Sequence, residues 1–547
     1  MQSGRLSRWL GPIRRIAALV RTALPSALLL SAPMLLSGCR SPQAIMVETT
    51  GEEALPAQVR GIVQWALGWL RPLPNTAPDS AVAYTDLPPF GVNTFLEQEV
   101  EIEKREQSLQ MIADAGFQWI RQSFPWYDIE IHGKGDFEDR RYEPYRSAWD
   151  KYDTIVDLAE AHDVAIIARL EAPPAWSRVD GTEHGAFAPP DSYQDFADYA
   201  AAVVDRYRGR IRFYQIWNEP NIYPEWGNQP VDPEDYTALL CLAYQRIKAI
   251  DPDAVIISGA MAQTSELGTW NPTYQGNNLM DTIFLQRMYT AGAGNCFDIM
   301  AVNNYMLWSG PTDHRMTQRE INFSRPMWIR DVMVANGDAA RPVWLSEMNS
   351  NAAPEGVPDQ FGRVTLDQQA RWAPLAYERI QREWPWVGVT TVWFFKRASD
   401  QELSQPFYYF RLVEPDFTPM PVYDSLSAYL NGLEPTLYTG VHQETAWPLT
   451  YAGAWEDVED VTATLGSYRR ATLSGATVSF NWEGRRLELV PGPGEGLIQV
   501  TDETGTVRDF HLNEKPVTLA NAFLSQPHHV TVKRLDGDVA IDQIVVR

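Results

Sequence analysis

The chain has 547 residues and a net charge of −24, with 46 Lys and Arg against 70 Asp and Glu. Its length exceeds that of one ordinary domain, and its 45% hydrophobic content excludes a wholly disordered chain. The acidic balance argues against a nucleic-acid partner, because such a surface repels the phosphate backbone.

The first 38 residues have the features of an export signal. Five Arg residues precede an apolar stretch, 22–36, which two prolines interrupt and which is too short for a stable membrane-spanning helix. The segment ends Leu36-Ser37-Gly38-Cys39, which resembles the lipobox of bacterial lipoproteins. This resemblance implies cleavage before Cys39, a lipid on Cys39, and an extracytoplasmic location on the cell membrane or outer membrane. An ordinary signal peptide is the alternative.

Residues 39–87 are Pro-rich and polar around one apolar patch, 59–70. The outer parts of this segment are predicted to be a tether that holds the body of the protein off the membrane. The patch either lies in the lipid interface or packs onto the body, and both interpretations remain open at this point.

Two cysteines remain after cleavage, Cys241 and Cys296. They are too few for a disulfide framework, although export permits one bond between them. Cys241 lies in a strongly helical pattern, so the simpler interpretation is a small core residue.

Residues 88–433 alternate short apolar runs with longer amphipathic ones. Helical patterns cover 105–115, 149–161, 193–207, 233–249, 279–291 and 366–384. Eight βα units predict a (β/α)8 barrel. An open doubly wound sheet is the alternative, but no Gly-rich phosphate loop follows the first strand. The eight predicted strands are 90–96, 118–124, 164–170, 211–217, 254–260, 297–305, 342–346 and 388–395.

Two of the eight predicted strand ends carry a glutamate in an unusual setting. Strand four ends in Trp217-Asn218-Glu219-Pro220-Asn221, and strand seven contains Trp344-Leu345-Ser346-Glu347. In a barrel the carboxyl ends of the strands face the active site. One such glutamate is usually a solvated loop charge, whereas this pair is improbable without a function.

The strand-four motif resembles the acid/base motif of clan A glycoside hydrolases, and the strand-seven motif resembles their nucleophile strand. Within the clan the pattern is most similar to family 39 or family 5. The resemblance implies a retaining mechanism with Glu219 as acid/base and Glu347 as nucleophile. The charge of Glu347 is expected to raise the pKa of Glu219 and keep it protonated. Asn218 is expected to hydrogen-bond the sugar 2-hydroxyl.

Other strand ends match the clan less specifically. Arg121 resembles the arginine that holds the nucleophile ionised, and Tyr305 resembles the tyrosine that hydrogen-bonds it. The clan often has His two residues before that tyrosine; Asn303 stands there, which puts this part of the network in doubt. Trp393 matches a tryptophan that stacks under the reacting sugar, and Trp176 is expected to line a subsite. Ion pairing and packing are the competing interpretations.

Residues 438–547 lack long helical patterns and instead show short segments of alternating polar and apolar residues, separated by Gly and Pro. They predict a small all-β sandwich with strands at 476–482, 486–490, 498–501, 529–533 and 540–546. The segments 475–480 and 539–544 resemble jelly-roll modules appended to secreted glycosidases. Some such modules bind sugars and others brace the barrel. Bracing is favoured, because Trp447, Trp455 and Trp482 are all candidates for core or interface positions.

The sequence therefore predicts a lipid-anchored glycosidase that acts on oligo- or polysaccharides. The 20 Trp residues agree with a carbohydrate substrate, since indole faces pack well against sugar rings. No cluster has metal-ligand spacing, and the hydrolysis needs no cofactor. A transglycosidase would use the same residues, and a non-catalytic carbohydrate-binding envelope lipoprotein is the alternative of a different class. Two further carboxylates near strand ends, Glu171 and Asp128, are expected to be structural.

Overall fold

The computed structural model of the chain describes residues 41–273 and 276–547. Cys39 and the cleavage site before it lie outside the described residues. The predicted (β/α)8 barrel is confirmed, and each of the eight predicted strands is present. The strands are β1 Phe90–Thr94, β2 Trp119–Pro125, β3 Ala165–Glu171, β4 Phe213–Ile216, β5 Val255–Ile257, β6 Met300–Asn303, β7 Val343–Met348 and β8 Val387–Val392.

The eight strands pair in parallel in the order β5-β4-β3-β2-β1-β8-β7-β6. The two ends of this order meet, since the Met261 N–H donates to the Ala301 carbonyl at 3.1 Å and the Asn303 N–H donates to the Met261 carbonyl at 2.9 Å. All residues of β1, β2, β4 and β7 are buried, as expected for strands covered by helices on the outside. The closed barrel brings all eight carboxyl strand ends to one mouth.

Helices cover the barrel, and the six predicted ones are present within a few residues of their predicted bounds. Two helices were not predicted, Pro326–Ala335 and Pro421–Gly432, both of which begin with a proline that suits the first helical turn. In chain order, counting two helices before the barrel, they are α3 Ile102–Asp114, α4 Asp150–Ala161, α5 Tyr193–Arg206, α6 Pro233–Ile250, α7 Asp281–Thr290, α8 Pro326–Ala335, α9 Leu366–Glu383 and α10 Pro421–Gly432.

The segment predicted as a tether contains two docked helices, α1 Pro42–Thr50 and α2 Leu55–Gly68. The Ser41 side chain caps α1 by accepting from the Ala44 N–H at 3.2 Å. The Thr49 carbonyl accepts from the His314 N–H at 3.1 Å, and Arg315 donates to Gln64 at 3.0 Å. This part of the chain is therefore more ordered than a flexible tether. Within 41–273 and 276–547, no helix is long and apolar enough to cross a membrane.

Cys241 and Cys296 form a disulfide bond, with Cα atoms 4.6 Å apart. Cys241 lies on α6, and Cys296 follows the short turn after α7, which packs beside α6. The interpretation of Cys241 as an unbonded core residue was wrong, because sequence spacing does not reveal which helix face meets a turn 55 residues away.

The carboxyl-terminal part is an all-β sandwich, as predicted, with its own apolar core. The segments 476–482 and 486–490 belong to one strand rather than two, because Gly484 continues the strand across a register shift. The strands are β9 Thr436–Leu437, β10 Gly440–Gln443, β11 Thr450–Ala452, β12 Trp455–Glu459, β13 Ser467–Ala471, β14 Thr477–Pro491, β15 Glu495–Asp502, β16 Val507–Asn513, β17 Val517–Gly537 and β18 Val539–Val546.

The sandwich packs against the amino-terminal end of the barrel. Trp447 meets Phe90 edge-on with ring centroids 5.7 Å apart, and its N–H donates to the Asp86 carbonyl at 2.8 Å. The Arg382 guanidinium lies 4.7 Å from the centre of the Tyr438 ring. Trp482 is buried in the sandwich core. These positions agree with a bracing module, and sugar binding by the sandwich stays an untested alternative.

Candidate active site

The two glutamates singled out by the sequence both lie at the barrel mouth. Glu347 belongs to the carboxyl end of β7, and Glu219 follows β4 by three residues. Trp217 and Glu219 adopt left-handed backbone, with φ of 75° and 42°. Such backbone is unfavourable for residues with a side chain and is characteristic of functional sites. The Glu219 N–H holds this turn by donating to the Ala260 carbonyl at 2.9 Å.

Glu347 is buried and fully engaged by donors. One carboxylate oxygen accepts from Arg121 at 2.9 Å, and the other accepts from the Tyr305 hydroxyl at 2.5 Å. Arg121 is itself buried, and its remaining donors bond Asn93, Gln215 and Asn218 at 2.6–2.8 Å. A guanidinium placed in this way makes a charge-assisted hydrogen bond to the carboxyl group. Arg121 and Tyr305 therefore both contact Glu347, and the roles that the resemblance implies for them stay predictions.

Glu219 has fewer hydrogen-bond donors around its carboxyl group than Glu347 has. Among the described residues its side-chain hydrogen bond is with Asn303, which donates to one oxygen at 2.6 Å. Exclusion of water raises the pKa of Glu219 well above its usual range, and the charges of Glu347 and Glu225 raise it further. The Asn303 contact and the more distant Arg121 act in the other direction. Glu219 is therefore placed to hold a proton beside Glu347, which is paired with Arg121.

Strand β6 serves both carboxyl groups at once. Asn303 ends the strand and contacts Glu219, and Tyr305 lies two residues further on and contacts Glu347. Asn303 therefore lies on the Glu219 side of the site, and Tyr305 lies on the Glu347 side. Burial, together with the charges of Glu347 and Glu219, raises the pKa of the Tyr305 hydroxyl, so it acts as a hydrogen-bond donor.

Asn218 links the two halves of the site. Its carbonyl oxygen accepts from Arg121 at 2.8 Å, and its amide donates to Glu225. Sequence reasoning missed Glu225, which lies in the long loop between β4 and α6. Burial and the charge of Glu171 raise the pKa of Glu225 to about 8. No sequence signal distinguishes Glu225 from an ordinary loop carboxylate, because its position depends on how that loop folds back over Trp217.

The aromatic candidates divide into two groups. Trp393 follows β8, is partly open to solvent, and meets Phe95 edge-on with ring centroids 5.4 Å apart, so its stacking role stays a prediction. Trp176 packs edge-on against Trp126 at 5.4 Å and donates to the Glu130 carbonyl at 2.7 Å. No contact of Trp176 within 41–273 and 276–547 reaches Glu219 or Glu347, so its role in a subsite stays a prediction.

The two carboxylates expected to be structural have ion-pair partners. Asp128 is buried, accepts from the Tyr152 hydroxyl at 2.7 Å, and pairs with Arg141 at 2.9 Å and with Lys151. Glu171 pairs with Arg169 at 2.6 Å. The charges of Glu347 and Glu225 also raise the pKa of Arg169, so the Arg169–Glu171 pair borders the site.

Comparison with known proteins gives similarity of fold at low identity. No family model matches the chain, and no curated protein matches it. A family 39 glycoside hydrolase from Bacteroides cellulosilyticus is 18% identical, with 83% of each chain covered and a TM-score of 0.48. A monomeric beta-xylosidase from Caulobacter crescentus is 14% identical, with 87% of this chain and 97% of that chain covered and a TM-score of 0.45. These values are too low to assign an activity, which the site itself must support.

Proposed function

We propose that the protein is a retaining glycoside hydrolase that cleaves O-glycosidic bonds of oligo- or polysaccharides. The observation that carries this proposal is the contrast between the two mouth glutamates. Glu347 is held by Arg121 and Tyr305, whereas Glu219 has a pKa raised well above its usual range. A carboxylate beside a carboxylic acid at one barrel mouth is the pair that this reaction requires.

In the first step, an oxygen of Glu347 attacks the anomeric carbon, and the bond from that carbon to the leaving oxygen breaks. The proton of Glu219 passes to the leaving oxygen, which departs as an alcohol. The product is a glycosyl ester of Glu347 and an ionised Glu219. In this state the charge of Glu347 is gone, so one of the causes that raise the pKa of Glu219 is removed.

In the second step, Glu219 takes a proton from a water molecule as the water oxygen attacks the anomeric carbon. The ester bond to Glu347 breaks, and its electron pair returns to the carboxylate. Arg121 and Tyr305 are in place to stabilise the charge that redevelops on Glu347. Asn218, already oriented by Arg121, offers its amide to the sugar, and Trp393 offers its free face for stacking.

The proposal includes export and a lipid anchor at Cys39. The lipobox-like Leu36-Ser37-Gly38-Cys39 supports it, and so does the Cys241–Cys296 disulfide, because such bonds persist in oxidising compartments. Mass spectrometry of the mature amino-terminal peptide tests this part. A diacylated or triacylated Cys39 supports the anchor, and an unmodified terminus or cleavage elsewhere contradicts it.

The catalytic proposal is tested by Glu347→Ala on a panel of aryl glycosides. We expect activity to fall by about 10⁴-fold or more, as for the loss of other enzymic nucleophiles. Added azide should restore turnover and give a glycosyl azide of inverted anomeric configuration, because azide then attacks from the face that Glu347 occupied. The product configuration is read by NMR.

The matched control is Glu355→Ala, an exposed glutamate in the loop that follows β7. It makes the same chemical change without touching the pair and should leave activity unchanged. Near-wild-type turnover of Glu347→Ala on a natural glycoside, or azide rescue with retained configuration, would overturn the assignment of Glu347.

A further inference from the structure

Helix α2 presents its large apolar side chains to solvent. Four of them, Leu55, Val59, Val63 and Leu67, recur every fourth residue and are 53–61% exposed. The stripe continues past the end of the helix into residues that are at least as exposed. We define the apolar face of α2 as Leu55, Val59, Val63, Leu67, Trp69, Leu70 and Leu73.

The face that α2 turns toward the protein carries small and polar residues, with Ile62 and Trp65 half-buried beside them. Its fully buried positions are Gln58, Gly61 and Gly68. A Cβ on Gly61 would come within 2.8 Å of the Thr50 side chain, so the helix packs closely there. A helix on a soluble protein normally buries its apolar stripe and exposes the opposite face. The reversed arrangement indicates that the apolar face of α2 meets an apolar partner outside the described chain.

The orientation of this face is fixed by contacts to the barrel. Gln64 accepts from Arg315 at 3.0 Å, and Glu52, just before α2, pairs with the same arginine at 3.3 Å. A Cβ on Gly51, between α1 and α2, would overlap the Ser309 carbonyl at 1.5 Å. The loop contacted here, 306–316, directly follows Tyr305. The apolar face of α2 therefore has a defined position on the flank of the barrel, beside the loop that joins β6 to α8.

Charge around the face favours a lipid surface. No acidic residue occurs from 54 to 78, although the whole chain carries 70 Asp and Glu. The charged residues of that segment are Arg60 and Arg71, both exposed. Arginines that flank an apolar stripe suit an interfacial helix on anionic phospholipid. Trp65 and Trp69, which meet edge-on at 5.2 Å, are the side-chain type that prefers the headgroup boundary.

The position of the proposed anchor favours the same partner. Pro42, the first residue of α1, is the third residue after Cys39, and three residues span at most about 10 Å. A lipid on Cys39 would therefore hold the bilayer close to the α1–α2 pair. We propose that the apolar face of α2 lies in the interface of an anionic phospholipid bilayer and holds the flank of the barrel against the membrane surface. This inference rests on the proposed anchor but not on the proposed chemistry.

The test uses the full-length lipoprotein in vesicles of phosphatidylethanolamine and phosphatidylglycerol. Hydroxyl-radical footprinting measures the solvent access of Trp69, which is 61% exposed, and of Phe523 in the sandwich, which is 91% exposed. We expect labelling of Trp69 to be lost in vesicles and regained in the Val59→Glu, Val63→Glu variant, while Phe523 stays labelled throughout. The matched control is Val461→Glu, Leu473→Glu, which adds the same charges on exposed sandwich residues and should leave Trp69 protected.

Equal labelling of Trp69 with and without vesicles overturns the proposal. Protection that persists in lipid-free amphipol, together with the mass of a dimer, assigns the face to a second copy and also overturns it. The amino-terminal peptide of the same preparation reports whether Cys39 carries lipid, and turnover of an aryl glycoside reports the catalytic site. The three measurements therefore test the lipid anchor, the catalytic proposal and the membrane contact of α2 separately.

Discussion

The barrel mouth and the core of the sandwich bury side chains of opposite character. The mouth buries Arg121 and Glu347 within a polar network, whereas the inward positions of β14 are apolar, including Val478 and Phe480. A buried ion pair contributes little net stability, because desolvation offsets its attraction. Apolar burial stabilises by about 25 cal/mol per Å². The mouth is therefore arranged for chemistry and the sandwich for stability, so substitutions in the mouth should change activity and those in the sandwich should change the free energy of unfolding.

The largest loss of activity without a loss of stability is expected on substitution of Glu219. Glu219→Gln removes the proton donor at almost constant shape, and general acids contribute about 10²–10⁴-fold to rates. Glycosides with poor leaving groups should slow by that amount, whereas those with activated phenols should form the glycosyl-enzyme almost normally. Steady-state kinetics across a series of aryl glycosides checks this, as a steep dependence of kcat/KM on leaving-group pKa in the variant.

The same variant should not lose stability. A carboxyl group whose pKa is raised on folding lowers the free energy of unfolding once the pH exceeds its unfolded pKa, because the unfolded state then ionises more readily. Replacing Glu219 by Gln removes this effect at neutral pH, so Tm should stay the same or rise. A clear drop in Tm, or an equal rate loss for all leaving groups, would contradict the separation.

Phe480→Ala should have the reverse effect. Phe480 is 2% exposed in the sandwich core, and truncation of a buried Phe typically costs about 3–5 kcal/mol. Denaturant unfolding should report this loss, while kcat at a temperature where the variant is folded should stay near wild type. Val461→Ala, at a fully exposed sandwich position, is the control and should change neither quantity. A large fall in kcat for folded Phe480→Ala would show that the sandwich shapes the mouth.

The elements that sequence predicts best are those whose pattern is local. The eight barrel strands were predicted because each is a short apolar run between helical patterns. The two halves of β14 appeared as separate strands because Gly484-Arg485-Arg486 has the composition of a turn. The structure explains the glycine differently, since a Cβ there would lie 2.5 Å from the Val546 side chain. The sequence around Gly484 does not reveal this contact, because Val546 lies in a strand at the far end of the domain.

The residues of the site likewise divide into those that a local sequence pattern predicts and those that depend on distant contacts. Glu219, Glu347, Asn218 and Tyr305 come from strand ends and Arg121 lies within β2, so a correct strand count was enough to bring them into one barrel. Glu225 and the Cys241–Cys296 bond depend on how loops fold against each other, which neither periodicity nor spacing encodes. The apolar face of α2 was visible as a patch at 59–70, but only the packed helix shows that this patch points outward.

The smallest effect is expected at Asn303, the residue that departs from the clan's pattern. Its hydrogen bond to Glu219 favours the ionised carboxylate and so lowers the pKa of Glu219 against the larger effects that raise it. A hydrogen bond to a charged group is worth about 1.5–3 kcal/mol, and about 1.4 kcal/mol corresponds to one pKa unit. Asn303→Ala should therefore raise the pKa of Glu219 further and move the basic limb of kcat/KM to higher pH, by about one to two units.

The direction of this shift distinguishes a hydrogen-bonding role of Asn303 from a role in packing alone. If Asn303 only filled space, its truncation would lower kcat/KM equally at all pH values and leave the limb in place. Asn295→Ala, at an exposed position before the amino end of β6, is the matched control and should alter neither limb. A shift to lower pH in Asn303→Ala would mean that Asn303 stabilises the protonated acid, with its amide oxygen accepting from Glu219. The pH profile therefore determines which end of the amide faces the catalytic acid in the working enzyme.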